Sequence, residues 1–168
     1  MNKPYKKHQS FEGFSGAGVD AEQQRARAIT VLDNLPPPTN RPDNFTDVMQ
    51  RAVSALREHA SKFQITHFIA DEMALLEDLE LQDFLYHRFR YDVFPSTYEL
   101  DDYPPYLQIE PTSICNYRCV FCYQSNEAFS RKESGHMGVM ALDTYRSVVD
   151  QIEGNVQFVS LASRGEPL

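Results

Sequence analysis

All three cysteines of this 168-residue chain lie within the eight residues CNYRCVFC, at Cys115, Cys119 and Cys122. The spacing C-x3-C-x2-C lets three thiolates of one loop converge on a single point, which constrains how that loop folds. Soft sulfur ligands select zinc, Cu(I) or an iron–sulfur cluster over hard cations. The N-terminus has no apolar segment typical of a secretory signal, so we expect a cytoplasmic, reducing compartment. There, clustered thiols are metal ligands or catalysts rather than disulfides.

The cysteines lie between two segments that have the pattern of short strands. LQIEPT, residues 107–112, alternates apolar and polar residues, and residues 156–161 show a second strand pattern. Between them, apolar residues fall on one face of a helix over about 141–153. The order strand, loop, helix, strand predicts a βαβ unit and therefore a parallel sheet.

This α/β pattern is short for the fold class that it indicates. A βα barrel takes about 250 residues, and a sheet of two parallel strands leaves both of its edges open. We therefore expect an α/β fold that is the start of a partial (βα) barrel. Either the chain is truncated from a longer protein, which is the interpretation we favour, or the missing strands come from a partner.

The N-terminal half has helical patterns instead. Asp20 is expected to cap a helix that runs to about residue 35 and ends at Pro36–Pro38. Apolar residues at three- and four-residue steps predict two or three more helices between about 44 and 91. The expected organisation is a flexible segment with a short helix and a proline-rich linker (1–43), a helical extension (44–100) and the α/β part (101–168).

Charge and hydropathy argue against two classes of partner. The net charge of −8 repels phosphate backbones, so nucleic acid is an unexpected partner. YHRFRYDVF, residues 86–94, is interpreted as an amphipathic helix whose aromatic side chains pack and whose arginines face water. No apolar run is long enough for a transmembrane helix, so we expect no membrane partner.

Three cysteines suit a catalytic metal site better than a structural one. A structural zinc site closes its coordination sphere with four protein ligands, whereas three leave one position open for a small molecule. The alternative is a zinc-binding interaction module in which His136 completes a Cys3His site. An exposed loop histidine is the simpler interpretation of His136.

A second motif follows the second strand pattern. In a parallel sheet, the cysteine loop and RGEPL, residues 164–168, both follow the carboxyl ends of neighbouring strands, where α/β proteins place ligands. Gly165 allows a close backbone approach to a ligand, and Glu166 offers a carboxylate to a cationic group. Pro167 fixes the backbone after them.

IEPTSICNYRCVFC, followed by a strand that leads into GEPL, resembles the radical S-adenosylmethionine (radical SAM) superfamily over residues 107–168. The resemblance implies that Cys115, Cys119 and Cys122 bind three irons of a [4Fe–4S] cluster. The fourth iron then chelates the amino and carboxylate groups of SAM.

The resemblance also implies which residues contact SAM. Phe121 matches an aromatic position whose backbone lies by the adenine. Gly165, Glu166 and Pro167 match the GGEP motif that receives the methionine amino group, and Arg164 stands where the family most often has the first glycine.

The implied activity is that of an enzyme. A reduced cluster donates one electron to SAM, which yields methionine and a 5′-deoxyadenosyl radical that abstracts a hydrogen from the substrate. An electron donor is therefore an expected partner, and no acid or base is assigned. Relatives with an IEPTSICN-type segment often carry a C-terminal auxiliary-cluster domain and modify peptides or carbohydrates, so those are the expected substrate classes. An inactive fragment of such an enzyme is the third hypothesis.

Overall fold

The structure is a computed structural model that describes residues 19–34, 36–37, 39–161 and 165–166. Residues 1–18 of the segment expected to be flexible, and Pro38 of the linker, lie outside the described residues. The chain divides into two compact units, Met1–Leu100 and Asp101–Leu168. The described part of the first is helical, and the second combines short helices with a parallel strand pair.

The described residues of the first unit form four helices, which are α1 (Ala21–Asn34), α2 (Phe45–Arg57), α3 (His67–Met73) and α4 (Asp78–Thr97). The Asp20 carboxylate accepts a hydrogen bond from the amide of Glu22 at 2.9 Å, which satisfies one of the free donors at the start of α1.

Helix α4 has defined ends. At its start, Glu77 and Glu80 form a capping box in which the Glu80 carboxylate accepts from the Glu77 amide at 3.0 Å. The helix continues through Pro95 to Thr97, and its C-cap residue Tyr98 adopts a left-handed conformation with φ of 57°.

One apolar core joins all four helices. Its larger members come from α2, α4 and the segment around α3, and they include Phe45, Val48, Leu56, Phe63, Met73, Leu81, Leu85 and Phe89. Ala28 and Val31 of α1 are buried in the same core. The helix assigned to the N-terminal segment therefore packs with the helices that follow the linker.

The aromatic-basic stretch of α4 is only partly as predicted. Tyr86, Phe89 and Phe94 are buried, as expected, whereas Tyr91 is 49% exposed, contrary to the prediction. Arg88 is half-buried and pairs with Asp92 at 2.8 Å. The prediction is wrong for Arg90, which is 1% exposed and stacks over the Tyr86 ring at 4.6 Å. The reason is that both α1 and α2 pack on α4, so little of α4 faces water, and a cation–π contact favours the buried guanidinium.

The second unit contains the predicted parallel pair. Strand β1 (Tyr106–Gln108) pairs with β2 (Phe158–Ser160), with Leu107 opposite Val159. Helix α6 (Leu142–Ile152) connects them, after a short helix α5 (Glu127–Ser130) and two 3₁₀ turns. The parallel order expected for a βαβ unit is confirmed.

The first strand is shorter than the predicted strand over 107–112. The sheet bonds end where the Ile109 amide donates to the carbonyl of Ser160 at 2.8 Å. Thr112 instead forms an antiparallel bridge with Val139. The second half of the prediction is wrong because these residues pair with the segment before α6 rather than with β2.

Apolar residues of the second unit remain exposed. Helix α6 buries none of its residues, and Leu142 is 60% exposed. Among the residues described here, the sheet has two strands and no partial barrel is formed. No described helix is both long and apolar enough to cross a membrane.

Candidate metal centre

We define the cysteine loop as residues 113–124, which follow β1 and end in the 3₁₀ turn Tyr123–Ser125. Its first residues are anchored to the segment before α6. The Met140 amide donates to the carbonyl of Pro111 at 2.7 Å, and the Ser113 amide donates to the carbonyl of Gly138 at 3.0 Å. The Gly138 amide donates in return to Ser113 Oγ at 2.7 Å. These bonds fix the chain just before the first cysteine.

The second motif packs on the same point of the chain. The Glu166 amide donates to the carbonyl of Ile114 at 3.0 Å. Gly165 has φ of 87°, and a Cβ added to it would lie 2.5 Å from the carbonyl oxygen of Thr112 and 2.8 Å from that of Ile114. Gly165 is thus needed for a close backbone approach, but its partner here is the backbone that enters the cysteine loop.

The three cysteines are free thiols. Cys119 is exposed, whereas Cys115 and Cys122 are half-buried. The Tyr117 amide donates to Cys115 Sγ at 3.4 Å, and the Cys122 amide donates to the carbonyl of Cys119 at 3.0 Å. An amide donor stabilises negative charge on a sulfur, and the second bond closes a tight turn between two of the cysteines.

The donor set fits a soft metal, although the sulfur positions do not yet define a coordination sphere. Among the described residues, no group of three or more His, Cys, Asp or Glu side chains is placed to hold a metal ion. What fits is the chemistry: three free thiols and one amide-to-sulfur hydrogen bond on a solvent-accessible loop.

His136, the fourth ligand of the zinc alternative, is exposed as the simpler interpretation expects. Its ring centroid lies 6.0 Å from that of Phe129, and its carbonyl accepts a hydrogen bond from Ser113 Oγ at 3.2 Å. The described contacts of the imidazole are therefore aromatic.

The residues expected to contact SAM differ in their surroundings. Phe121 is 89% exposed in the cysteine loop. Glu166 is half-buried and, with Gly165, lies beside the start of that loop. Pro167, like Arg164 before the motif, lies outside the described residues.

One residue near the cysteines was missed by the sequence reasoning. Gln124 is buried, and its Nε2 donates to the carbonyl of Ser113 at 2.7 Å. Its neighbours Tyr123, Ser125 and Asn126 are polar and typical of a loop, so no local pattern marks this glutamine as buried. Only the fold of the loop back onto its own start reveals it.

The chain was compared with known proteins, and it matches no protein-family model, no curated protein and no solved structure.

Proposed function

We propose that this chain is the cluster-binding part of a radical SAM enzyme, in which Cys115, Cys119 and Cys122 hold a [4Fe–4S] cluster. The observation that carries the proposal is the hydrogen bond from the Glu166 amide to the carbonyl of Ile114. It brings Gly165 and Glu166 beside the first cysteine, so two motifs that are distant in sequence meet at one edge of the parallel strands.

The cofactors supply the reductive cleavage of SAM that starts hydrogen abstraction from the substrate. The protein residues bind and orient. Cys115, Cys119 and Cys122 would hold the cluster, and the Tyr117 amide, which donates to Cys115 Sγ, would stabilise charge on that sulfur. The Glu166 carboxylate would accept a hydrogen bond from the amino group of SAM, and the close backbone approach of Gly165 to Thr112 and Ile114 holds Glu166 beside the start of the cysteine loop.

The finer fold is part of the same proposal. The parallel pairing of β1 with β2 and the exposed apolar residues of α6 support the start of a (βα) barrel, because such faces are buried when further strands and helices pack on them. A reducing cytoplasm, an electron-donor partner and peptide or carbohydrate substrates complete the proposal. Of these, the substrate class rests on the resemblance alone.

The test is metal content after anaerobic reconstitution with iron and sulfide. The proposal expects iron and sulfide in equal amounts and little zinc. It also expects iron to be lost in Cys115→Ser, Cys119→Ser and Cys122→Ser, and retained in His136→Ala. Tight zinc without sulfide, lost on His136→Ala, would establish the Cys3His module instead. A chain that binds neither metal would support the inactive fragment.

A further inference from the structure

Among the described residues of the second unit, two are buried, Ile109 and Gln124. Gln124 is 8% exposed, whereas most side chains around it are open to water. Burial of a primary amide is unfavourable unless its donors find acceptors. The position of Gln124 therefore depends on the hydrogen bonds that it makes.

The amide nitrogen of Gln124 reaches two other segments. Nε2 donates to the carbonyl of Ser113 at 2.7 Å and lies 4.0 Å from Sδ of Met137. The first contact joins the two ends of the cysteine loop. The second reaches the segment that is already bonded to Ser113 through Gly138.

The two residues joined by this hydrogen bond flank the cysteines at equal distances along the chain. Ser113 lies two residues before Cys115, and Gln124 lies two residues after Cys122. When both ends are fixed, the outer two cysteines have fewer conformations available, and less entropy is lost when their sulfurs bind one metal centre. A residue that orients ligands without touching the metal has the role of the outer partners common in metal sites.

We propose that Gln124 is a positioning residue for the iron–sulfur cluster, acting through Ser113 and the closed cysteine loop. This inference rests on the proposed function. It requires the amide N–H of Gln124, not merely a side chain of its size. Methionine, which has a similar length but no donor, is therefore the informative replacement.

The experiment compares Gln124→Met and Gln124→Glu with wild type, and Gln151→Met is the matched control. Gln151 is exposed on α6 and bonds within its own helix, to Ser147. Each full chain is reconstituted anaerobically with iron and sulfide. The readouts are the rate of iron loss to a chelator, the cluster reduction potential, and amide hydrogen exchange of residues 113–117 in the metal-free chain.

We expect both Gln124 variants to lose iron on the order of 10- to 100-fold faster than wild type, as when outer partners of metal ligands are removed. Their reduction potential should shift and exchange at residues 113–117 should accelerate, while Gln151→Met matches wild type in all three. Gln124→Glu serves as the second variant if Gln124→Met does not fold. It keeps the size and an acceptor but sets a carboxylate against the Ser113 carbonyl.

Two results would overturn the inference, and they are distinguishable. Wild-type rates, potentials and exchange in a folded Gln124 variant would remove the positioning role and leave the proposed function intact. A wild-type chain that takes up no cluster would overturn the proposed function, and the inference with it.

Discussion

The amide of Glu166 donates a hydrogen bond to the carbonyl of Ile114 at 3.0 Å, and Ile114 immediately precedes Cys115. The bond links a residue that follows β2 to one that follows β1. Because the strands are parallel, both residues lie beyond the carboxyl ends of the strands. The proposed cluster site therefore depends on this contact between the two motifs.

Gly165→Ala tests the close approach of the two motifs. The added Cβ would lie 2.5 Å from the Thr112 carbonyl at a φ of 87°, so the backbone must shift by roughly 1 Å to restore ordinary contact. A displacement of that size moves Glu166 away from the position set by its bond to Ile114. We expect SAM affinity to fall roughly 10- to 100-fold, as for the loss of one hydrogen bond to a charged group, measured by equilibrium binding to the reconstituted chain.

The control for this variant is Gly138→Ala. A Cβ at Gly138 meets nothing within 4 Å, so affinity should be close to that of wild type. If Gly165→Ala also binds SAM as wild type does, the backbone contact has no part in holding the cofactor.

The ion pair between Arg51 and Glu99 should make the stability of the helical unit depend on pH. Their bidentate pair has distances of 2.7 and 2.6 Å, and the guanidinium lies over Phe89 and Phe94 at 5.4 and 5.3 Å. The hydrogen bond from Arg51 holds the pKa of Glu99 below its ordinary value of 4.5. A lowered folded-state pKa stabilises the fold above the unfolded-state pKa, and this contribution is lost as the pH falls through the folded-state pKa.

Glu99→Gln should therefore lower the free energy of unfolding by about 1 kcal/mol at pH 7, a modest value because both side chains are about one third exposed. The difference from wild type should shrink at a pH below the folded-state pKa of Glu99. Urea unfolding at the two pH values measures it. The control is Asp47→Asn, since Asp47 is 69% exposed and lies 3.6 Å from Arg51. Equal effects of the two variants would contradict the importance of the bidentate geometry.

Leu85→Ala tests the core of the helical unit. Leu85 is fully buried on α4, so removing its side chain leaves a cavity and should lower the free energy of unfolding by about 2–5 kcal/mol. Leu75→Ala is the same change at a side chain that is 86% exposed, and it should stay within about 0.5 kcal/mol of wild type. Chemical denaturation of both variants gives the comparison. Similar losses would mean that α4 is not central to the core.

The parallel strand pair and its connecting helix were predictable from sequence because they depend on local patterns. Alternation over the strands and the spacing in α6 mark both element types, and a parallel order follows from the helix between them. The end of β1 was not predictable in this way. Thr112 pairs with Val139, and a contact between segments so far apart leaves no periodic signal.

Two buried polar side chains show the same limit. Arg90 and Gln124 belong to residue types that are mostly exposed, so sequence reasoning places them in water. Arg90 is buried because α1 and α2 both pack on α4, and the Arg90 guanidinium stacks on the Tyr86 ring. Gln124 is buried because the cysteine loop folds onto Ser113. In both cases the side chain is buried because it has a contact partner, and that partner can be identified only from the fold. The cysteine motif was visible in the sequence because its spacing alone indicates metal chemistry.

Cluster binding and SAM binding are both tested by the electron paramagnetic resonance spectrum of the reconstituted, reduced chain, recorded anaerobically before and after SAM is added. We expect a reduced [4Fe–4S] signal that changes with SAM, because a cluster held by three cysteines would leave one iron open to it. An identical spectrum with and without SAM, or the absence of any cluster signal, would overturn the proposed function.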